Sequence, residues 1–162
     1  MIADGKNTLI TVGLNDDVID AELACYQRWK DQPMELVKGL RGTIDEKCEA
    51  VFAYLTEHVV YKLDDAGNQY IKSPARLLQD GCGDCKSYTM FIACCLHCLD
   101  IPCIVRFVNF DGGDQYTHVY PVAIDENGNE IVMDACELDN DQKTVLYDYA
   151  REYAKKKDIY YD

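Results

Sequence analysis

The chain has 162 residues, a 48% hydrophobic fraction and a formal net charge of −13. This size and composition predict one domain, spanning residues 1–162, whose core needs no disulfides. The negative charge would repel nucleic acid and anionic membranes, so neither is expected as a partner. Because no membrane span or signal peptide is recognised, we expect a cytoplasmic protein in which the nine cysteines are reduced thiols.

The amino-terminal region, about residues 15–60, is predicted to be helical. Apolar residues recur at helical spacing from Asn15 to Lys30. A second helix is predicted after Thr43, because Thr43 and Glu46 have the spacing of a capping box that precedes an apolar face. The segment from Val60 to Tyr70 has a turn signal between two tyrosines, which indicates an extended pair or an ordered loop.

The central part of the chain predicts one buried helix followed by strands. Residues 85–99 contain no Gly or Pro and are apolar almost all round, with Asp84 as the N-cap and Pro102 just past the end. Three β-rich runs follow, namely CIVRFVNF, YTHVYPVAI and EIVMDAC, and they predict an antiparallel meander packed on that helix. Residues 141–158 predict a closing amphipathic helix that ends with Lys155 to Lys157. The fold class is therefore α+β, with extra helices at both termini.

The stretch CGDCK, residues 82–86, permits three chemistries, of which the first is redox. A Cys-x-x-Cys pair at a helix N-terminus stabilises a thiolate through the free N–H groups and the helix dipole. A thioredoxin-like motif follows a buried strand, whereas Pro74 and a short helical segment at 75–78 precede Gly81 here. A thiol-disulfide oxidoreductase is therefore the alternative, and a strand running directly into Gly81 would favour it.

The second chemistry is metal binding. Four cysteines have a spacing like that of a zinc site: Cys82, Cys85, Cys95 and Cys98. On one helix Cys85 and Cys95 would lie about 15 Å apart, while zinc–sulfur bonds are about 2.3 Å long, so these four thiols cannot share one ion. A smaller set, Cys94, His97 and Cys98, stays open, although core cysteines are the commoner explanation.

The third chemistry is nucleophilic catalysis, which requires a thiolate, a histidine and an acid or amide that orients the histidine. Cys85 meets the first condition. His97 would lie about 18 Å along the same helix, and His58 suits a helix C-terminus, so His118 is the candidate base. Asp134 interrupts a hydrophobic run sixteen residues later, and buried acids need a partner.

A hairpin could bring Asp134 to His118 only in a suitable register. A turn centred on Glu126 would place the two residues directly opposite each other, whereas a two-residue turn at 127–128 would place them on opposite faces unless a bulge intervenes. We therefore predict a wide or irregular turn from Asp125 to Asn129.

The run GDCKSYTMFIACCLHCLDIPCIVRFV, then THVYPVAI, then IVMDA, resembles the core of the transglutaminase-like superfamily, in particular small bacterial or phage-type members. The shared pattern is Gly-x-Cys at a helix start, a long apolar helix, a strand, a His-x-x-x-Val strand and a strand that ends in Asp. The match covers residues 73–136. The resemblance implies an α+β papain-like fold with Cys85 as nucleophile, His118 as general base and acid, and Asp134 as the residue that orients His118.

The resemblance also implies a function. It indicates a thiol-dependent amide or peptide-bond hydrolase or acyltransferase that works through a thioester on a peptide or protein substrate, with no cofactor and no metal. Besides the oxidoreductase, a catalytically silent binding module on the same fold is a further alternative.

Three features of the sequence bear on the details of such a site. The sequence has His118-Val119-Tyr120 where many relatives have His-Ala-Trp, which leaves the substrate walls open. Lys86 is expected to be solvated beside the thiolate. The backbone N–H of Cys85 is expected to donate to an oxyanion, while Gln79, Tyr61 and Tyr70 are open possibilities for a second donor.

Overall fold

The computed structural model describes residues 7–10, 14–63, 69–110, 112–136 and 153–162. Helices and strands are mixed along the chain, as the predicted α+β class requires. In chain order the elements are β1 (Asn7–Ile10), α1 (Asp16–Trp29), α2 (Met34–Val37), α3 (Ile44–His58), β2 (Val60–Tyr61), β3 (Gln69–Lys72), α4 (Pro74–Asp80), β4 (Cys82–Gly83), α5 (Cys85–Cys98), β5 (Cys103–Asn109), β6 (His118–Ile124), β7 (Glu130–Val132) and β8 (Lys155–Tyr161).

Both predicted amino-terminal helices are confirmed, and their ends follow from local side-chain bonds. The Asn15 side chain caps α1 by accepting from the backbone N–H of Val18 at 3.1 Å. Thr43 and Glu46 form the complete capping box at the start of α3. Each cap satisfies N–H groups that a helix start leaves without partners, and the apolar faces of both helices join the main core around α5.

The central helix α5 is buried from Cys85 to Leu96. Its sequence is apolar almost all round because it lies between the other helices and the sheet. The Thr89 hydroxyl donates to the backbone oxygen of Val119 at 3.3 Å, and the Tyr88 hydroxyl donates to the backbone oxygen of Val59 at 3.1 Å. These bonds tie α5 to β6 on one side and to the end of α3 on the other.

The main sheet is antiparallel and has the strand order β7-β6-β5-β8. Strands β5, β6 and β7 form the predicted meander, and Val119 and Ala123 of β6 belong to the same core as α5. The other face of the sheet carries a second apolar cluster that includes Tyr120 and Val122. Since successive strand residues point to opposite faces, His118 lies on the face of Tyr120.

The end of the predicted carboxy-terminal helix is wrong, because Lys155–Tyr161 form strand β8. The earlier part of that prediction, residues 141–152, lies outside the described residues. Strand β8 pairs along the whole of β5, and Tyr161 alternates inward with Ile159 to join the core. The pairing partner on β5 therefore overrides the local helical pattern, and the lysines line an edge strand rather than a helix end.

The segment Val60–Tyr70 does contain extended residues, but they do not pair with each other as predicted. Strand β2 pairs in parallel with β4, while β3 pairs antiparallel with β1. The predicted turn signal at 64–68 lies outside the described residues. The pairing with β4 matters for function because it brings Tyr61 beside Gly83, two residues before Cys85.

The hairpin between β6 and β7 has the wide turn that the sequence predicts. Residues 125–129 connect the strands. Within this connection the backbone N–H of Gly128 donates to the backbone oxygen of Asp125 at 3.0 Å, and Gly128 has a φ of 83°. The turn is centred on residue 127 rather than on Glu126. When this register is continued, Asp134 lies opposite Tyr120. Because His118 is two residues before Tyr120, it lies on the same face of the sheet and is the diagonal neighbour of Asp134.

Within the described part of the chain, no helix has the length and apolar character needed to cross a bilayer.

Candidate active site

Cys85 is the first residue of α5, and its side chain is largely buried with the residue 7% exposed. Asp84 caps the helix, since its Oδ1 accepts from the backbone N–H of Lys86 at 3.0 Å. The helix start places free backbone N–H groups and the positive end of the dipole beside the sulfur. A thiolate at this position is stabilised by both effects.

Gly83 sets the approach of the chain to α5. A Cβ added at Gly83 would lie 2.5 Å from Cδ1 of Leu77 and 3.1 Å from Cβ of Ser87. A side chain at this position would force Leu77 and Ser87 to shift, so the absence of a Cβ in Gly83 lets the two-residue strand β4 pass close to both. Gly83 and Asp84 thus form the turn and cap that precede Cys85, as the sequence indicates.

Lys86 is not solvated, which corrects the expectation from sequence. The residue is 3% exposed, and its Nζ forms an ion pair with Oδ2 of the equally buried Asp84. The N-cap carboxylate therefore has two functions, because one oxygen caps the helix while the other compensates the lysine charge. As a result Lys86 does not add an unpaired positive charge beside Cys85.

Glu22 of α1 faces this ion pair from inside the core. It is fully buried, and neither carboxylate oxygen has a hydrogen-bond partner among the described residues. Burial raises the pKa of Glu22 well above its usual range, although the charge of Lys86 partly opposes the shift. Burial thus favours the neutral, protonated form of this carboxyl group.

The structure brings His118 and Asp134 together. Nε2 of His118 lies 2.7 Å from Oδ2 of Asp134, and Oδ1 of Asp134 accepts from the backbone N–H of Cys136 at 3.2 Å. His118 also forms a hydrogen bond with the Cys85 side chain. Because Nε2 faces Asp134, Nδ1 is the ring nitrogen that remains for the thiol. The three predicted site residues thus form one hydrogen-bonded chain from the start of α5 to the residues just past β7.

The partners of His118 change its protonation. Burial alone would lower its pKa, but the hydrogen bonds to Asp134 and Cys85 and their negative charges raise the pKa to about 10. The imidazolium form is therefore favoured at neutral pH, with the Asp134 carboxylate as its adjacent counter-charge.

Aromatic rings surround His118. The ring centroids of Phe110 and Tyr120 lie 5.9 Å and 5.8 Å from the imidazole centroid. Tyr61 lies near Cys85, since burial and the negative charges of groups that include Cys85 raise its pKa. Phe110 was not predicted, because it lies just past β5 and only the sheet brings it to His118. Tyr120 could have been found by alternation along β6.

Cys136 is a residue of this region that the sequence did not single out. It is 4% exposed, and its thiol hydrogen-bonds to Asp134, two residues before it. Burial, followed by the charges of Asp134 and Cys85, raises the pKa of Cys136 well above its usual range. Its position relative to the other cysteines has no recognisable spacing, so no sequence pattern pointed to it.

The other sequence candidates lie elsewhere. His97 pairs with Asp31 at 3.0 Å, and His58 is exposed with its Nδ1 2.8 Å from the Tyr54 backbone oxygen. Cys94 and Cys95 are fully buried, and burial raises the pKa of both thiols, as expected for core cysteines. Gln79 is exposed on α4.

Helix α4, not a strand, runs into Gly81, so the feature that would favour a thioredoxin-like motif is absent at that position. Cys82 is only half-buried, and all nine cysteines are free.

The cysteine at the start of the central helix is followed by antiparallel strands that supply histidine and aspartate. One family shares this arrangement. The model of the transglutaminase-like superfamily matches residues 32–135. The chain belongs to the transglutaminase-like superfamily. The match begins before the segment 73–136 that carries the resemblance, so α3 and the strands around β3 belong to this superfamily domain as well.

Solved structures show the same fold. A candidate protease from Parabacteroides distasonis superimposes with a TM-score of 0.54 and 13% identity over 73% of this chain and 26% of its own. A candidate cysteine protease from Cytophaga hutchinsonii gives a TM-score of 0.52 and 16% identity over 96% of this chain and 63% of its own. This transglutaminase-like chain thus spans about a quarter of the first protein and somewhat under two thirds of the second. No curated protein matches the sequence.

Proposed function

We propose that this protein is a cysteine enzyme that cleaves or transfers acyl groups at amide bonds of a peptide or protein. In this proposal Cys85 is the nucleophile, His118 the general base and acid, and Asp134 the group that orients the imidazole. The observation that carries the proposal is the hydrogen-bonded chain Cys85–His118–Asp134, which begins at a helix N-terminus.

The proposed reaction begins with a thiolate on Cys85 and an imidazolium on His118, the pair that the raised pKa of His118 favours. The sulfur attacks the amide carbonyl and forms a C–S bond, and the carbonyl oxygen takes the negative charge. When the C–N bond breaks, His118 gives its proton to the leaving amine and a thioester remains on Cys85. Water or an amine then resolves the thioester, with His118 accepting the proton of the attacking group.

The oxyanion needs donors that are in place before the reaction. The backbone N–H of Cys85 is one proposed donor, because the N–H of the first residue of a helix has no hydrogen-bond acceptor inside the helix. The Tyr61 hydroxyl is the second proposed donor, because β2 is held against β4 by the backbone bond from Lys62 N–H to Gly83 O at 2.8 Å. This contact fixes the tyrosine beside the turn that leads into Cys85.

A peptide or protein substrate is supported by the surface around Tyr61. Val60 and Leu63 are 68% and 71% exposed, which is uncommon for large apolar side chains, and they flank Tyr61 in sequence. In our proposal these residues contact apolar side chains of the substrate.

The proposal is tested by the rate at which each cysteine reacts with iodoacetamide at neutral pH, followed by mass mapping. Cys85 is expected to react much faster than Cys82 and Cys98, which are half-buried and serve as internal references. His118→Ala should slow the labelling of Cys85 and leave both references unchanged, because only Cys85 depends on the imidazolium.

Two variants separate the proposed function from its alternatives. Cys85→Ala should abolish amide hydrolysis of a peptide library, whereas Cys82→Ser should keep it. Reduction of insulin disulfides by the wild type, lost in Cys82→Ser, would instead establish the oxidoreductase. Slow and uniform labelling of all nine cysteines would establish the silent module.

A further inference from the structure

Three potential metal ligands converge beside the proposed catalytic cysteine. The ligand atoms of His118, Asp134 and Cys136 all lie within 4.8 Å of one another, and all three residues are buried. Among the residues that the structure describes, no other group of histidines, cysteines and acids converges in this way. The four cysteines with zinc-like spacing, Cys82, Cys85, Cys95 and Cys98, do not form such a cluster, as helix geometry predicted.

The donor types select the ion. An imidazole nitrogen, a carboxylate oxygen and a thiolate sulfur together suit Zn²⁺, while Ca²⁺ and Mg²⁺ require oxygen ligands alone. Ligand atoms of tetrahedral zinc lie roughly 3.5 Å apart, given bonds of about 2.0 to 2.3 Å. To reach that spacing, His118 Nε2 and Asp134 Oδ2, now 2.7 Å apart, would have to separate by about 1 Å, and a pair at the 4.8 Å limit would have to approach by about 1 Å.

The proposed acyl transfer gives Cys136 no task that needs sulfur. Its thiol donates to Asp134, a contact that a serine hydroxyl would make equally well. What the thiol adds is a soft metal ligand on the Asp134 side of His118. The opposite ring nitrogen of His118 faces Cys85, so an ion bound through Nε2 would leave Cys85 on the far side of the ring.

We propose that His118, Asp134 and Cys136 form an inhibitory zinc site. Zinc would replace the proton that His118 and Asp134 share and would also displace the thiol proton of Cys136, so both protons pass to the solvent and no oxidation state changes. With zinc on Nε2, the proton that remains on Nδ1 would belong to a zinc-bound neutral imidazole, which is a much weaker acid than imidazolium, so His118 would no longer pass a proton to the leaving amine. Zinc binding itself is independent of the proposed function, but inhibition depends on it.

Binding is tested without any assay of activity. The apo protein, prepared with a chelator under reducing conditions, is titrated with Co²⁺, and the sulfur-to-cobalt charge-transfer absorption is recorded. Zinc affinity is then measured by competition with a chromogenic chelator. We compare wild type with Cys136→Ser, which keeps the hydrogen bond to Asp134, and with Cys98→Ser, a matched change at a half-buried cysteine near the Lys30 backbone oxygen.

Cys136→Ser is expected to lose the charge-transfer band of this site and to bind zinc at least about tenfold more weakly. Even outer-shell partners of a metal are worth about 10- to 100-fold in affinity, so a direct ligand should count for no less. Cys98→Ser should bind like wild type. Asp134→Asn is a second variant for the binding measurement in case Cys136→Ser does not fold, and it should also weaken zinc binding.

The activity arm distinguishes failure of this site from failure of the proposed function. Each variant's rate in the presence of chelator is its own reference, and zinc should inhibit the wild type at concentrations at least tenfold lower than Cys136→Ser. Selective loss of zinc affinity in Cys136→Ser, in a protein without amidase activity, would support the site and refute the proposed function. Equal zinc affinity and equal cobalt spectra in Cys136→Ser and Cys98→Ser would overturn the zinc site, whatever the activity.

Discussion

Nε2 of His118 is 2.7 Å from Oδ2 of Asp134, and the carboxylate is 2% exposed. With Cys85, this contact raises the pKa of His118 to about 10. The charged imidazole therefore stabilises the fold fully below its ordinary pKa of about 6.5, and this contribution is lost as pH rises through 10.

Asp134→Asn should lower the pKa of His118, because an amide cannot compensate the imidazolium charge. The expected result is an NMR titration of His118 shifted to lower pH, with the His58 and His97 titrations as internal references. In the proposed reaction the same change should reduce kcat by on the order of 10²- to 10⁴-fold, because the imidazole loses the partner that fixes its tautomer. An unchanged His118 titration would show that Asp134 does not control the charge of the ring.

Tyr61→Phe should remove one of the two proposed oxyanion donors. Loss of such a donor costs about 10²- to 10³-fold in kcat, with little change in KM, because the bond forms only in the transition state. Tyr54→Phe is the matched control, since Tyr54 is a half-buried tyrosine of α3 that stacks on His58 and is not a proposed donor. Equal rates for the two variants would remove Tyr61 from the proposed mechanism.

Glu22→Gln should change how stability depends on pH. In the wild type the unfolded chain loses the Glu22 proton above pH 4.5 while the folded chain keeps it, so stability falls by about 1.4 kcal/mol per pH unit until the folded pKa is reached. The glutamine has no proton to lose, so its advantage in free energy of unfolding should grow as the pH rises above 4.5, until the raised pKa of Glu22 in the folded chain is reached. Urea denaturation at several pH values measures this, with Glu57→Gln at an exposed position as control. Identical pH slopes for wild type and Glu22→Gln would contradict a buried neutral acid.

Lys86→Met should destabilise the fold by about 3–5 kcal/mol, because it leaves the Asp84 carboxylate buried without its partner. The double variant Asp84→Asn, Lys86→Met should recover much of this loss, since asparagine still caps α5 and carries no charge. Lys62→Met, at an exposed lysine, should have little effect. If the double variant were as unstable as Lys86→Met alone, the ion pair would not be the cause.

The sequence predicted the helices better than it predicted the edges of the fold. Helix caps and apolar periodicity are local signals, so α1, α3 and α5 could be found with their first residues. The three proposed site residues were singled out because each breaks a pattern: Cys85 follows a cap, and His118 and Asp134 interrupt hydrophobic strands. Their contact depends on one short hairpin, which the sequence describes almost completely.

What the sequence missed depends on contacts between distant segments. Strand β8 takes its conformation from pairing with β5, about fifty residues earlier, and its own lysines and tyrosines suit a helix end equally well. Lys86 was expected in solvent because the sequence does not show that α1 and the sheet cover the start of α5. Cys136 and Phe110 reach the site only through the packing of the sheet, which no local pattern encodes.

The connection between β6 and β7 is exposed around residues 126–129 and touches none of the three proposed catalytic residues. Yet its length decides the face on which Asp134 emerges, because each residue added to or removed from a hairpin reverses the side chains that follow. Substitutions at Glu126 or Asn127 should therefore be tolerated, while a single insertion or deletion there should turn Asp134 away from His118. Mutational scans of this turn would find it permissive to changes of residue and intolerant of changes of length, a pattern usually associated with buried strands.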